Sequence, residues 1–371
     1  MISINLSRCS TGLVCLSALT SSLLILQLFP WYKESIVVKQ LNSDLERLSL
    51  MHRGKGIPFD LLLNSKQDPK LCQKGQVLMI LVTSAPWHLE QRNSIRNTWA
   101  KKQGKDFNSW QVLFLIGHHA GAGTSPEILK EQQTFGDILV GNYVDCYRNL
   151  TLKVMHGMKW VAENCEPQFV LKTDDDCFVN TCHLPRFLVK FNNIKSGLYA
   201  GSLFPQAKRR VIRDPFSKWY VSWEDFEEER YPPYASGIGY VLSLDAVLKI
   251  LKVAEHVRPI PVEDAYMGIL AKEAGIPVRS SARFMKHNIN WRVCNYRYLM
   301  VIHHLDASEL KVAQDVKLRN RYRRQMAVRV PGELSSHCVP EHGPCRSESE
   351  LPSEECEGRR SLQLAAFTEL R

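Results

Sequence analysis

The stretch FVLKTDDDCFVN, Phe169 to Asn180, sets the apolar run Phe169–Val170–Leu171 almost against three consecutive aspartates, Asp174, Asp175 and Asp176. Carboxylates this close repel one another, and a solvent loop has no need of three. The run before them reads as a buried strand. The aspartates then fall just past its carboxyl end, where open α/β sheets bind ligands. Hard oxygen donors at such a place suit magnesium or manganese. A divalent cation offsets their repulsion and leaves positions for the phosphates of a nucleotide. The competing reading is a capping or turn cluster, in which one aspartate is useful and two are incidental.

Outward from this stretch, strands and helices alternate. VLMILVT (Val77–Thr83), VLFLIG (Val112–Gly117) and DILVG (Asp137–Gly141) are short apolar runs of the kind that form buried parallel strands. Helices are expected between them, from Glu90 to Lys101 and from Pro126 to Thr134. Leu150, Val154, Met158 and Val161 mark the apolar stripe of another helix, and Leu184, Phe187, Leu188 and Phe191 that of a further one. This alternation predicts an α/β sheet, largely parallel in its first half. Past Ser196 the pattern is less regular, running through KWYVSW and YPPYASGIGYVLS to a helix around Glu263–Ala274.

The chain's 371 residues, 44% of them hydrophobic, suffice for one large or two modest domains. Thr11–Phe29 stands apart: 19 residues without a charge, close to what a helix needs to cross a hydrocarbon core of ~30 Å. Trp31 and Tyr32 behind it suit a membrane–water interface. The rival is a cleaved signal peptide, whose apolar run is typically about 7–15 residues and ends in small side chains; Leu26, Leu28 and Phe29 are not small. The expected division is a cytoplasmic tail (1–10), a signal anchor (11–29), a stem (30–70), a lumenal catalytic domain (71–325) and a C-terminal tail (326–371).

Eleven cysteines are present, nine of them beyond the apolar span. None forms a CxxC pair, so zinc has little support. An oxidising lumen favours disulfides with one thiol left over, and buried free cysteines are the alternative. Asn149–Leu150–Thr151 is a glycosylation sequon, or Asn149 is simply a helix N-cap. The formal net charge is +10. A lumenal location argues against nucleic acid as its partner, and a phosphate-bearing substrate suits the sign.

Four smaller features carry possible chemistry. Arg92 and Arg96 share a helix face after the first strand, within reach of a diphosphate or merely solvated. Gly237 and Gly239 sit among aromatics, where a backbone approaches a ligand or turns tightly. Glu263–Asp264 opens a helix, as dipole-favoured acids or as a general base. His303–His304 ends an apolar run, as a metal ligand or a structural pair.

In this order the segments RNSIRNTW, FLIG, GDIL, DCYRNLTLK, KTDDDCFVN, YPPYASGIGYVLS and VEDAYMG resemble the β-1,3-galactosyltransferase family, which includes β-1,3-N-acetylglucosaminyltransferases. The match runs from about Cys72 to Leu310. The resemblance implies a GT-A fold, with a Rossmann-like nucleotide-binding half and an acceptor half, using a UDP-sugar and manganese. It implies that Asp174 and Asp175 contact UDP, that Asp176 and His303 hold Mn2+, and that Asp264 is the base. Thr83, Arg92 and Arg96 would lie on the donor side; Trp219, Tyr234 and Glu263 would lie nearer the acceptor. The anchor and stem are similar to those of the family's Golgi type II membrane enzymes. Within the family, QRNSIRNTW, CYRNLTLK, ILKVA and the HHLD context are most similar to members that galactosylate N-acetylgalactosamine on a ganglioside. Two departures stand out. KWYVSWEDFEEERYPPY is more similar to members with N-acetylglucosamine acceptors, and Ala265 replaces the usual valine. UDP-galactose as donor and a glycolipid or glycoprotein acceptor follow as expectations. The alternatives are UDP-N-acetylglucosamine as donor, or a catalytically silent glycan-binding protein.

Overall fold

Runs with no polar interruption belong in strands covered on both faces, and the computed structural model places them so. It describes residues 56–62, 72, 75–101, 110–119, 124–285, 299–305, 309–310 and 368–369, all within one compact unit, Lys55–Arg371. A short helix α1 (Phe59–Leu62) comes first. Strand β1 (Leu78–Thr83) is buried at every position, and helix α2 (Leu89–Asn97) follows it. Next come β2 (Trp110–His118), α3 (Pro126–Phe135) and β3 (Ile138–Val144). Helix α3 shows why it starts and stops. Ser125 accepts from the Ile128 N–H, Pro126 needs no donor at its position, and Gly136 closes the helix in the left-handed region at φ 61°.

Helix α4 (Leu150–Asn164) has the bounds its apolar stripe predicts, and β4 (Phe169–Asp174) carries the first of the three aspartates as its last residue. Then come β5 (Phe178–Val179) and α5 (Leu184–Arg186). The latter passes into a wider π-type turn at Phe187–Phe191 instead of continuing as the regular helix its spacing suggests. Beyond lie β6 (Tyr199–Leu203), β7 (Ala235–Ser243), α6 (Leu244–Ala254), α7 (Glu263–Glu273) and the short strands β8 (Val278–Ser280), β9 (Phe284–Met285), β10 (Val301–Ile302) and β11 (Thr368–Glu369).

The main sheet has the order β11-β8-β6-β7-β4-β1-β2-β3. Strands β4, β1, β2 and β3 are mutually parallel, as the alternation predicts, while β7 runs antiparallel to both β4 and β6. The sheet is thus mixed, with its parallel half built first in the chain. A second sheet, β5-β10-β9, pairs β5 antiparallel to β10. It brings the segment around residue 303 beside the aspartates, across more than a hundred residues of chain.

Leu78, Ile80, Val82, Phe114, Ile116, Phe169 and Leu171 belong to the core cluster. Each such side chain contributes about 1.5–3 kcal/mol on full burial. Cys72 and Cys165 form a disulfide, tying the segment before β1 to the end of α4. Residues 56–62, which composition assigns to the stem, pack on this body. Ile57, Phe59 and Leu62 are buried, and the Ile57 N–H donates to the Ala254 carbonyl at 2.8 Å. Three apolar side chains in seven residues find cover there. The anchor at 11–29, the rest of the stem and nearly all of the C-terminal tail lie outside the described residues. Among the described residues, no helix is long and apolar enough to cross a membrane.

Candidate active site

Parallel register sets Thr83 opposite Asp174 at the carboxyl ends of β1 and β4. The Thr83 hydroxyl donates to Asp174 Oδ1 at 2.6 Å. Lys172, two residues back and so on the same face of the strand, donates from Nζ to that oxygen at 2.7 Å. Asp175 pairs with His88 Nδ1 at 2.8 Å, and this hydrogen bond is the main reason the imidazole is lifted above its usual pKa. Trp87 and Leu89, on either side of His88, line a groove of about 440 Å³ together with Glu90, Asn93 and Asn97.

Asp176 lies just before β5, and His303 just after β10. The β5–β10 register pairs Val179 with Val301 and Phe178 with Ile302, which leaves Asp176 Oδ2 and His303 Nε2 3.1 Å apart. Burial alone would raise the Asp176 pKa, but the bond and charge of His303 outweigh it and hold the carboxyl below its usual range. His304 adopts the left-handed region at φ 63°, and its ring packs on His303 with centroids 3.9 Å apart. Non-glycine residues held there cluster at functional sites. Ligand atoms of Asp176, His303 and His304 all lie within 4.8 Å of one another. One carboxylate with imidazole nitrogens is a donor set that can hold a divalent metal ion.

On the opposite side, α7 begins with the two acids expected of it. Asp264 Oδ1 accepts the Ala265 N–H at 2.9 Å, and Oδ2 accepts the Gly237 N–H of β7 at 3.0 Å. Burial pushes the Asp264 carboxyl above its usual range, against the pull of the Gly237 N–H and of Lys172. Glu263 is buried, accepts a short hydrogen bond from the Tyr240 hydroxyl and is lifted to about 7, mainly by burial. It faces Lys172 Nζ at 3.5 Å. In β7, Gly237 lies beside this pair of acids, while Gly239 pairs with Thr173 of β4.

Two buried lysines therefore organise the site, and neither stands out in the sequence as chemistry. Lys172 has no exposed surface. Burial works against its charge, yet Asp174, Glu263 and Asp264 together raise its pKa. Lys153 on α4 donates to both oxygens of Asp145 at 2.7 Å and to the Ser84 carbonyl at 2.7 Å, and Asp145 also accepts the Gly117 N–H. This pair joins the carboxyl ends of β1, β2 and β3. A lysine inside an otherwise apolar strand, or on the buried stripe of a helix, was the available signal.

The paired arginines, expected on the donor side, are both taken up in ion pairs. Arg92 has no exposed surface and grips Glu131 through Nε and Nη2 at 2.8 and 2.7 Å. Its remaining donors go to the Ser84 hydroxyl and to the Ala85 and Pro86 carbonyls. All five guanidinium N–H groups are thus engaged, and the loop after β1 is pinned by them. Arg96 is bound to Asp137 by a two-point ion pair at 2.8 and 2.7 Å and also reaches Glu131 at 2.8 Å.

Of the residues expected near the acceptor, Trp219 is exposed with Lys218 Nζ 4.6 Å from its ring centroid, whereas Tyr234 is buried against Phe204. Asn149 makes no capping bond to α4; its amide donates to the Val144 carbonyl at 2.9 Å. The N-cap alternative therefore fails, because the short turn at Tyr147–Asn149 aims that side chain back at β3.

A galactosyltransferase family model matches residues 90–282. β-1,3-Galactosyltransferase 5 of Pan troglodytes is 35% identical over 235 residues, covering 62% of this chain and 78% of its own. β-1,3-Galactosyltransferase 1 of Mus musculus is 32% identical over 255 residues, covering 68% of this chain and 76% of its own. A solved galactosyltransferase in complex with donor and acceptor sugar analogues aligns at a TM-score of 0.34 and 12% identity, over 64% of this chain and 94% of its own, too distant to carry an argument. A mixed sheet with carboxylates gathered at its strand ends, together with the family model and the two sequence relatives, defines a glycosyltransferase, acting on a sugar donor and an acceptor. The chain belongs to the galactosyltransferase family.

Proposed function

We propose that this protein transfers galactose from UDP-galactose, with inversion and in β-1,3 linkage, to a terminal N-acetylhexosamine of a glycolipid such as a ganglioside or of a glycoprotein. Galactose as the donor sugar and the β-1,3 linkage draw support from the relatives, both β-1,3-galactosyltransferases by name. The observation that carries the reading is the placing of two acidic groups around one lysine. Asp174 and the aspartates after it lie on one side, and Glu263 with Asp264 on the other.

In this reading Asp174, with Thr83 bound to it, and Asp175, with His88, face the UDP. Arg92 and Arg96 act on the donor side indirectly, by fixing the loop and helix after β1. Asp176 and His303 would hold Mn2+, with His304 beside them, and the bound cation would supply charge neutralisation for the diphosphate leaving group. Asp264 takes the proton of the acceptor hydroxyl as its oxygen bonds to the anomeric carbon and the bond to UDP breaks. A single displacement turns an α-linked donor into a β product. Trp219 offers a stacking face to the acceptor sugar, with Tyr234 and Glu263 behind it. The apolar span at 11–29 anchors the protein as a single-pass type II protein of the Golgi membrane, with the catalytic body in the lumen and Asn149 glycosylated there.

UDP release from UDP-galactose, with benzyl N-acetylglucosaminide and benzyl N-acetylgalactosaminide as acceptors, tests this. Release requires Mn2+ and stops with a chelator, and Asp264→Asn lowers turnover by about 10²-fold or more while donor binding persists. Preference for UDP-N-acetylglucosamine would move the assignment to the alternative donor, and no release with either sugar nucleotide would leave a glycan-binding protein.

A further inference from the structure

A buried carboxylate that must abstract a proton needs something to keep it ionised, because burial favours its neutral form. Asp264 lies among Tyr147 from the turn after β3, Lys172 and Asp174 from β4, Tyr199 from β6, and Tyr240 from β7. Tyr231 and Tyr234 from the segment before β7, and Glu263 from its own helix, complete the surroundings. Of these groups, Lys172 carries the positive charge.

An ammonium group has three donors, and those of Lys172 have three acceptors around them. Asp174 Oδ1 lies at 2.7 Å, the Gly237 carbonyl at 2.6 Å and Glu263 Oε2 at 3.5 Å. The contact continues through Gly237, whose N–H donates to Asp264 Oδ2 at 3.0 Å. Glu263, held by the Tyr240 hydroxyl, completes the arrangement from the same helix turn. One buried ammonium thus touches the donor-side carboxylate directly and reaches the carboxylate of Asp264 across a single residue.

We propose that Lys172 is a positioning residue for sugar transfer, holding Asp264 ionised and aimed by its charge and through Gly237, while tethering Asp174 on the donor side. This rests on the reading of Asp264 as the base. It distinguishes Lys172 from a lysine that merely fills the strand, because loss of the charge then moves the pH at which the base titrates.

The test is the pH profile of kcat/KM for the full-length protein. It is read as UDP release at saturating UDP-galactose and Mn2+ with whichever benzyl N-acetylhexosaminide the wild type uses. Wild type is compared with Lys172→Met and with Lys172→Met/Glu263→Gln. The double variant removes a buried opposite-charge pair together, avoiding the unpaired Glu263 that threatens folding of the single one. The acidic limb moves up by about one pH unit or more in Lys172→Met, the scale of losing an adjacent opposite charge. It moves the same way in the double variant, because the Lys172 charge is lost there too and Glu263, lifted to about 7, carries little charge where Asp264 titrates. In both, activity recovers toward alkaline pH. An acidic limb that stays at the wild-type pH in whichever variant folds, with the rate lowered equally throughout, overturns the proposal. Asp264→Asn separates the two levels. Near-normal turnover in that variant removes the base reading itself. Lost turnover there, with an unmoved limb in the lysine variants, removes only the role of Lys172.

Discussion

Glu263 titrates contrary to most buried acids in ion pairs. Its carboxyl is lifted from 4.5 to about 7, because burial outweighs the attraction of Lys172. Between those values the native state keeps a proton that the unfolded chain has lost, so stability falls as pH rises through the window. Below it both states are protonated, and above it the penalty is complete. Urea midpoints of wild type should decline from about pH 4.5 to 7 more steeply than those of Glu263→Gln, which keeps an acceptor for Tyr240 but cannot ionise. Equal slopes would place the charge elsewhere. At this scale the sequence was legible where residues carry their signal locally. The aspartate triplet, the acids opening α7 and the histidines after β10 all stood at element ends, where ligands and dipoles favour such groups. Lys172, Lys153 and His88 were not legible, since beside the nearby Asp174 and Asp145 their roles come from partners 65 and 91 residues away for the first, 69 for the second and 87 for the third.

The parallel strands and α4 were readable element by element, because a strand buried on both faces and a helix with one apolar stripe announce themselves within a few residues. Helix α6 was readable but not expected. Ala246, Val247, Ile250, Leu251 and Ala254 form its buried face, with the spacing that identified α4. The short strands β5, β8, β9 and β10 carry too few residues for any period. The pairing that delivers His303 to Asp176 is therefore a property of the folded chain. Helix α7 owes its position to a close approach at Gly268: a Cβ there would lie 2.5 Å from the Tyr234 Cβ and 2.8 Å from the Pro233 carbonyl oxygen. Gly268→Ala should cost about 1–3 kcal/mol through overpacking and shift Asp264 relative to β7. A lowered thermal midpoint with weakened turnover is the expected result, and unchanged turnover would show that the helix accommodates the methyl without moving the acid.

Across the molecule, the disulfide between Cys72 and Cys165 closes 93 residues of chain around β1, β2, β3 and α4. Breaking it by Cys165→Ser should lower stability by about 2–5 kcal/mol, seen as a matching shift in the urea midpoint under non-reducing conditions. Identical midpoints for the variant and the wild type would mean that the bond is absent in solution. The sequence indicated a chain fit for disulfides but could not say which cysteines meet, since that depends on where α4 ends relative to the segment before β1. Nor did it place residues 56–62 on the body, because their few apolar groups show no pattern until Ala254 and its neighbours are folded beside them.

The central claim is that carboxylates from two distant parts of the chain form one centre around a cation and a sugar nucleotide. Diffraction from a crystal soaked with Mn2+ and UDP-galactose, with data collected at the manganese absorption edge, tests it most directly. The account predicts an anomalous peak between Asp176, His303 and the diphosphate, with Asp264 on the open face of the sugar. A nucleotide bound elsewhere, or a peak away from Asp176 with the aspartates turned to solvent, would contradict it.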